Sequence, residues 1–268
     1  MKQSFILMAI ILSLQFIYMN SLTYDVSKLK LSKTTDQIML VIPANPRTSM
    51  AKFLYYVKDG NVWKEYLKSE AHIGRNGLGK QVAGDKKTPV GAFKFTKYFG
   101  VADNPGTKLP YVKLNQYHYW NGDSNSKKYN QFVDSREYSA FNKKASEHLV
   151  DYKIAYKYAM NISYNEKGVP NKGSAIFLHC YTKNPYTGGC VALPENTVIV
   201  GIEPPPGRYR AIFLEGGLYS DYHFLSGSYL TFFCPRKIFH SGSYLTFSFT
   251  VFINIGKGYI PTILNRGF

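Results

Sequence analysis

The chain has 268 residues, 45% of them hydrophobic, which supplies a sizeable core and excludes a chain that is disordered throughout. A formal net charge of +16 points to a polyanionic setting, but the basic residues are scattered, without the helical stripe or basic run of a nucleic-acid binder. Three cysteines are too few for a disulfide-built scaffold and, being odd in number, leave at least one thiol free.

Residues 1–24 carry a single charge at Lys2 and then an apolar run from Phe5 to Tyr18. That length suits the apolar stretch of a signal peptide and falls short of a typical membrane span. Residues 1–24 are therefore expected to be a signal peptide or an N-terminal anchor. The remainder is expected to be exported, to the periplasm or to the cell wall and exterior.

The abundance of Tyr and Phe favours pleated, half-buried surfaces and a mainly β fold. After a polar linker at 25–36, "QIMLVIPA" (37–44) reads as a first strand. Residues 50–74 read as two strands joined at Asp59-Gly60, a dipeptide that supplies the positive φ angles of a tight hairpin. A Gly-rich turn at 74–91 leads into "AFKFTKYFG" (92–100), whose apolar residues alternate as in a half-buried strand.

Residues 101–150 lose this pattern, and an insertion of such length in a compact domain usually covers a binding site. Within it, "SREYSAFNKKASEHL" (135–149) reads as a charged helix. Strand pattern returns at 156–165 and at "GSAIFLH" (173–179). Pro194 and Glu195 then open a helix over 193–202, and "YRAIFLE" (209–215) closes the domain. Residues 216–268 form an aromatic tail of unknown role, in which "SGSYLTF" occurs at 226–232 and again at 241–247.

Chemistry concentrates in "IFLHCYTKNPYTGGCVALPE" (176–195), where three arrangements are open. His179, Cys180 and Cys190 offer at most three ligands to zinc, and a closed structural site needs four. A Cys180–Cys190 disulfide would close a loop of about ten residues, although Cys180 directly follows an apolar run and is expected to be buried. The third arrangement is nucleophilic catalysis. Cys190 is the nucleophile, His179 the base, and the backbone amides of Gly188, Gly189 and Cys190 the oxyanion donors, with the following helix N-terminus favouring a thiolate.

His179 followed by Thr187-Gly188-Gly189-Cys190 resembles the signature of the L,D-transpeptidase catalytic domain, the YkuD-type family. "GRNGL" (74–78), "GDKKTPVGAFKF" (84–95), "FG" (99–100) and "SEHL" (146–149) resemble further pieces of an exported branch of that family, in the same order. The resemblance implies a β-sandwich or barrel with one or two short helices over residues 25–215. It also implies a cysteine acyltransferase that acts on peptidoglycan stem peptides through a thioester, forming 3→3 cross-links or trimming D-alanine. It needs no cofactor or metal, and its partners would be stem peptides and the anionic wall, with no nucleic acid.

Candidate substrate contacts are Thr187, Tyr119, Trp120, His148 and Arg75, with Lys86 and Lys87 as further cations in Gly-rich turns. Two departures stand out. His179 and Cys190 are only eleven positions apart, and Ala192 occupies the place where the family often has Arg or Asn. The alternatives are a catalytically inactive wall-binding protein of the same fold, or a domain stabilised by metal or disulfide at Cys180 and Cys190.

Overall fold

The computed structural model describes residues 24–202 and three further strands at 210–214, 248–254 and 259–265. The expected N-terminal signal or anchor, Cys234 and both copies of "SGSYLTF" lie outside the described residues.

Twelve strands precede residue 215: β1 (Gln37–Pro43), β2 (Met50–Asp59), β3 (Val62–His72), β4 (Gly91–Gly100), β5 (Tyr111–Lys113), β6 (His118–Trp120), β7 (Phe132–Asp134), β8 (Glu147–His148), β9 (Ala159–Ile162), β10 (Phe177–Cys180), β11 (Val191–Leu193) and β12 (Arg210–Leu214). Nine of them form one sheet in the order β12-β1-β2-β3-β11-β10-β9-β4-β5. The first half of β4 also pairs with β12, from Gly91↔Leu214 to Lys94↔Ala211, so the sheet curls round and closes on itself. The fold is the mainly β, barrel-like architecture expected from the sequence.

The expected hairpin forms one residue on: Asp59 ends β2 and pairs with Val62, so the turn is Gly60-Asn61, and of the expected dipeptide only Gly60, at φ +59°, has a positive φ. The expected strand at 209–215 is β12, parallel to β1 and antiparallel to β4. A single α-helix among the described residues, α1 (Glu195–Ile202), starts one residue after Pro194 and buries Val198 and Ile202. A separate unit, Tyr219–Phe268, contains the antiparallel pair β13 (Ser248–Asn254) and β14 (Tyr259–Asn265).

Two expectations are corrected. Residues 25–36 are not a free linker: they form two 3-10 turns, Val26–Lys28 and Lys30–Lys33, that bury Val26 and Leu29. Residues 135–149 are not a helix, because their short polar side chains bind backbone groups that a helix would need. Asp134 takes the Arg136 amide, Asn142 takes the Lys144 amide, and only a 3-10 turn (Lys143–Ala145) and the two-residue β8 result. This insertion folds as a small sheet in the order β7-β6-β8.

Strand β10 separates two apolar clusters, because successive side chains point to opposite faces. Leu178 and Cys180 enter the main core with Met39, Phe53 and Val191. Phe177 faces the second cluster with Phe99, Trp120, Leu149, Tyr156 and Cys190. Full burial of a ring such as Phe177 contributes about 1.5–3 kcal/mol, which anchors the strand that carries the candidate base.

Candidate active site

Two parallel strands place the candidate nucleophile and base. β10 and β11 pair in the register Leu178↔Val191 and His179↔Ala192. Cys190, one residue before β11, therefore lies level with Phe177 and on the same face as His179, one strand over and two residues back. The Phe177 amide donates to Cys190 Sγ at 3.3 Å, and the thiol is 3.3 Å from Ala175 O as its acceptor. Cys190 and His179 are both buried and line one cavity of about 380 Å³.

His179 Nδ1 lies 2.8 Å from Cys180 O. A carbonyl oxygen only accepts, so Nδ1 carries the proton and Nε2 keeps the lone pair that a general base needs. The Tyr156 ring packs edge-on against the imidazole at 5.6 Å. Burial lowers His179 to about 4 and raises Cys190 to about 12. The resting pair is accordingly neutral thiol and neutral imidazole, so the proton moves as the sulfur attacks.

The loop between the two strands is clamped at several points. The Thr187 amide donates to Ile73 O, and the Arg75 amide donates to Thr187 O. Thr187 Oγ1 donates to Cys190 O at 2.7 Å and accepts from the Gly189 amide at 3.1 Å. Thr88 Oγ1 also reaches Cys190 O, at 3.3 Å, while accepting from the Gly74 amide. Gly189 sits at φ +144°, and a Cβ there would meet Lys87 O at 2.8 Å, so this position requires glycine. A Cβ at Gly188 would meet nothing within 4 Å. Since Thr187 takes the Gly189 amide, the Gly188 and Cys190 amides are the better candidates for an oxyanion.

Other expected site residues fall in different places. Trp120 is in the second core cluster with its Nε1 donating to Asn130, because the β6 pleat turns it inward, so it does not line the cavity. Tyr119, on the opposite face, stacks on His148 with ring centroids 4.5 Å apart. His148 is held by Asp151 and by Gln116 O. Neither Tyr119 nor His148 lines the cavity. Arg75 is exposed and places its guanidinium over the Tyr186 ring at 5.2 Å, holding the loop from outside. Thr187 does line the cavity, but its hydroxyl is committed to the loop.

The expected helix-dipole assistance is also corrected. Strand β11 lies between Cys190 and α1, which begins only at Glu195, beyond the reach of a first-turn effect. The disulfide alternative meets the pleat: Cys180 and Cys190 are free thiols in different clusters, on opposite faces of β10. Burial raises Cys180 to about 11, as for an inert core thiol. Among the described residues no group of three or more His, Cys, Asp or Glu is placed to hold a metal.

Four cavity-lining residues were not among the candidate site residues: Lys80, Glu147, which lies within "SEHL", Tyr152 and Tyr156. Lys80 is almost fully buried and bonds Asp85 at 2.9 Å. Asp85 also takes the Gln81, Val82 and Lys87 amides. Burial opposes ionisation of Asp85, but these donors outweigh it and hold its carboxyl at about 2. Tyr156 Oη donates to Glu147 Oε2 at 2.5 Å. Burial nevertheless raises Glu147 to about 7.

Among the solved structures similar to the chain are the following three. A lysine-to-alanine variant of the helical cell shape determining protein Pgp2 from Campylobacter jejuni has 17% identity and a TM-score of 0.37, covering 68% of this chain and 47% of its own. Bd1075 from Bdellovibrio bacteriovorus has 14% identity and a TM-score of 0.36, with 70% and 50% covered, so the chain spans about half the length of these two. Another structure of Campylobacter jejuni Pgp2 has 12% identity and a TM-score of 0.38, with 87% of each chain covered. No curated protein sequence matches the chain. The L,D-transpeptidase catalytic domain (YkuD) family model matches residues 45–200, more than half of the sequence, and the protein belongs to that family.

Proposed function

We propose that the chain is an exported L,D-transpeptidase that transfers acyl groups of peptidoglycan stem peptides through a thioester on Cys190. The observation that carries the reading is the β10–β11 register, which sets the Cys190 thiol and an Nδ1-protonated His179 on one cavity wall. Cys190 Sγ attacks the carbonyl of the diamino-acid residue at stem position 3 as its proton passes to His179 Nε2. The C–N bond then breaks, and the terminal D-alanine leaves as an amine that takes that proton. The Gly188 and Cys190 amides receive the oxyanion. Attack by a second stem peptide's amine completes a 3→3 cross-link, and attack by water trims the stem. Family membership supports peptidoglycan as the substrate in general, and the +16 charge suits an anionic wall.

The test is intact-mass spectrometry of residues 25–215 after incubation with a carbapenem, which mimics the stem-peptide carbonyl. An adduct on the parent and on Cys180→Ala, but not on Cys190→Ala, is expected. No adduct on folded, reduced parent protein would defeat the reading.

A second reading, a wall-binding domain without turnover, draws on the resting state of Cys190, whose thiol faces Ala175 O and whose burial keeps it neutral. It predicts retention on purified peptidoglycan by Cys190→Ala while the parent yields no product from muropeptides.

A further inference from the structure

Glu147 is the one carboxylate among the residues that line the Cys190–His179 cavity. Its position follows from the insertion: β8 pairs with β6 in the register Trp120↔Glu147, which carries the side chain towards Tyr156. Tyr156 in turn packs its ring on His179, so the carboxyl and the imidazole contact the same side chain, one at its hydroxyl and one at its ring. Among the described residues no cation lies within ion-pair distance of Glu147, which separates it from the Lys80–Asp85 pair that braces the neighbouring turn. Tyr156 donates to Oε2, and Oε1 has no hydrogen-bond partner among the described residues. A carboxyl buried without a partner cation costs stability once it ionises, and its free oxygen leaves room for a cationic ligand.

We propose that Glu147 receives the acceptor amine: Oε1 binds the ammonium of the second stem peptide and takes the proton that must leave before nitrogen can attack the Cys190 thioester. This rests on the acyl-transfer reading above and names the group that selects amine over water. An ammonium has no lone pair, so R–NH3+ first gives one proton to the Glu147 carboxylate. The resulting R–NH2 attacks the thioester carbon, forming the C–N bond, and its second proton passes to His179 Nε2. The C–S bond then breaks, Cys190 Sγ recovers the proton from His179, and Glu147 releases its own to water. The carboxyl's upward shift brings its basicity closer to that of the amine it must deprotonate.

The experiment measures the partition of one acyl-enzyme between two acceptors. A tetrapeptide stem-peptide donor is supplied with Nα-acetyl-lysine amide, and the ratio of amide product to hydrolysis product is read by mass spectrometry for the parent and Glu147→Gln. Both products arise from the same thioester, so the ratio is independent of how much enzyme is folded or how fast it acylates. We expect Glu147→Gln to lower the ratio about tenfold to a hundredfold, with a raised KM for the amine. Tyr156→Phe keeps the ring but removes the donor that holds Oε2, and is expected to lower the ratio severalfold if Glu147→Gln does not fold. An unchanged ratio in the folded variants, with a parent that forms the acyl-enzyme, would overturn the role of Glu147 and leave the acyl-transfer reading standing. A parent that forms no acyl-enzyme would sink both.

Discussion

The Phe177 amide donates to Cys190 Sγ at 3.3 Å because the parallel register of β10 and β11 sets the two residues level. The sulfur thus has a fixed N–H donor on one side and the Ala175 carbonyl on the other. The first favours a developing thiolate, and the second holds the thiol proton until a base removes it. A buried sulfur with one donor reacts only when that base is in place.

Replacing His179 with Gln should therefore slow acylation of Cys190 at least about a hundredfold, the usual contribution of a positioned general base. Cys190→Ala should abolish it. The time course of carbapenem adduct formation measures both. Acylation of His179→Gln at the parent rate would remove His179 from the mechanism.

The pH profile has a worked sign. Burial holds His179 at about 4 against an ordinary 6.5, so the base form persists in the fold far below the usual histidine range. The acid limb of the acylation rate should fall through about 4 and not through 6.5. Stability follows the same linkage: the unfolded chain binds the proton first, so stability is lost as pH falls from 6.5 towards 4. Rates of adduct formation across this range, with folding checked by circular dichroism, decide the matter. An acid limb centred at 6.5 would contradict it.

Thr187→Val keeps the shape of the side chain but removes the hydroxyl that accepts from Gly189 and donates to Cys190 O. Leaving the Gly189 amide without its acceptor, and Cys190 O with Thr88 Oγ1 alone, should cost about 1–3 kcal/mol in urea denaturation. Acylation should slow as well, because the same hydroxyl sets the turn that aims the Gly188 and Cys190 amides. Thr187→Ser should restore both. A variant as stable and as fast as the parent would show that the loop is held by its other ties alone.

Most of the barrel was legible because β1 to β4 are long: β1 is a continuous apolar run, β2 and β3 flank a glycine turn, and the apolar residues of β4 alternate. Cys190 and His179 were legible because strand, loop, glycine pair and cysteine are contiguous in the chain. The site roles of Glu147 and Tyr156 were not: "SEHL" marks the segment of Glu147 and a strand was expected from 156, but β8 is only two residues long and Tyr156 sits in a 3-10 turn. Glu147 reaches the cavity through β6–β8 pairing, a non-local relation between positions near 120 and 147. Trp120 misled for a related reason: composition marks an aromatic as useful in a groove, while the pleat of β6 decides which face it takes.

Glu147 should also reveal itself in stability, independently of turnover. Burial raises its carboxyl from 4.5 to about 7, so the folded chain holds a proton that the unfolded chain has already released. Stability is complete below 4.5 and is lost as pH rises through 7, where the buried carboxylate must ionise. Glu147→Gln removes that penalty while its amide oxygen can still accept from Tyr156. The variant should therefore gain on the order of 1–2 kcal/mol over the parent at about pH 8, less than full burial would give because one edge of the carboxyl faces the open cavity. At about pH 4, where the parent carboxyl is protonated in the fold, the gain should vanish. Thermal melts of both proteins at the two pH values measure this difference. A gain of equal size at both would mean that the carboxylate's charge costs the fold nothing, and that the substitution acts through packing.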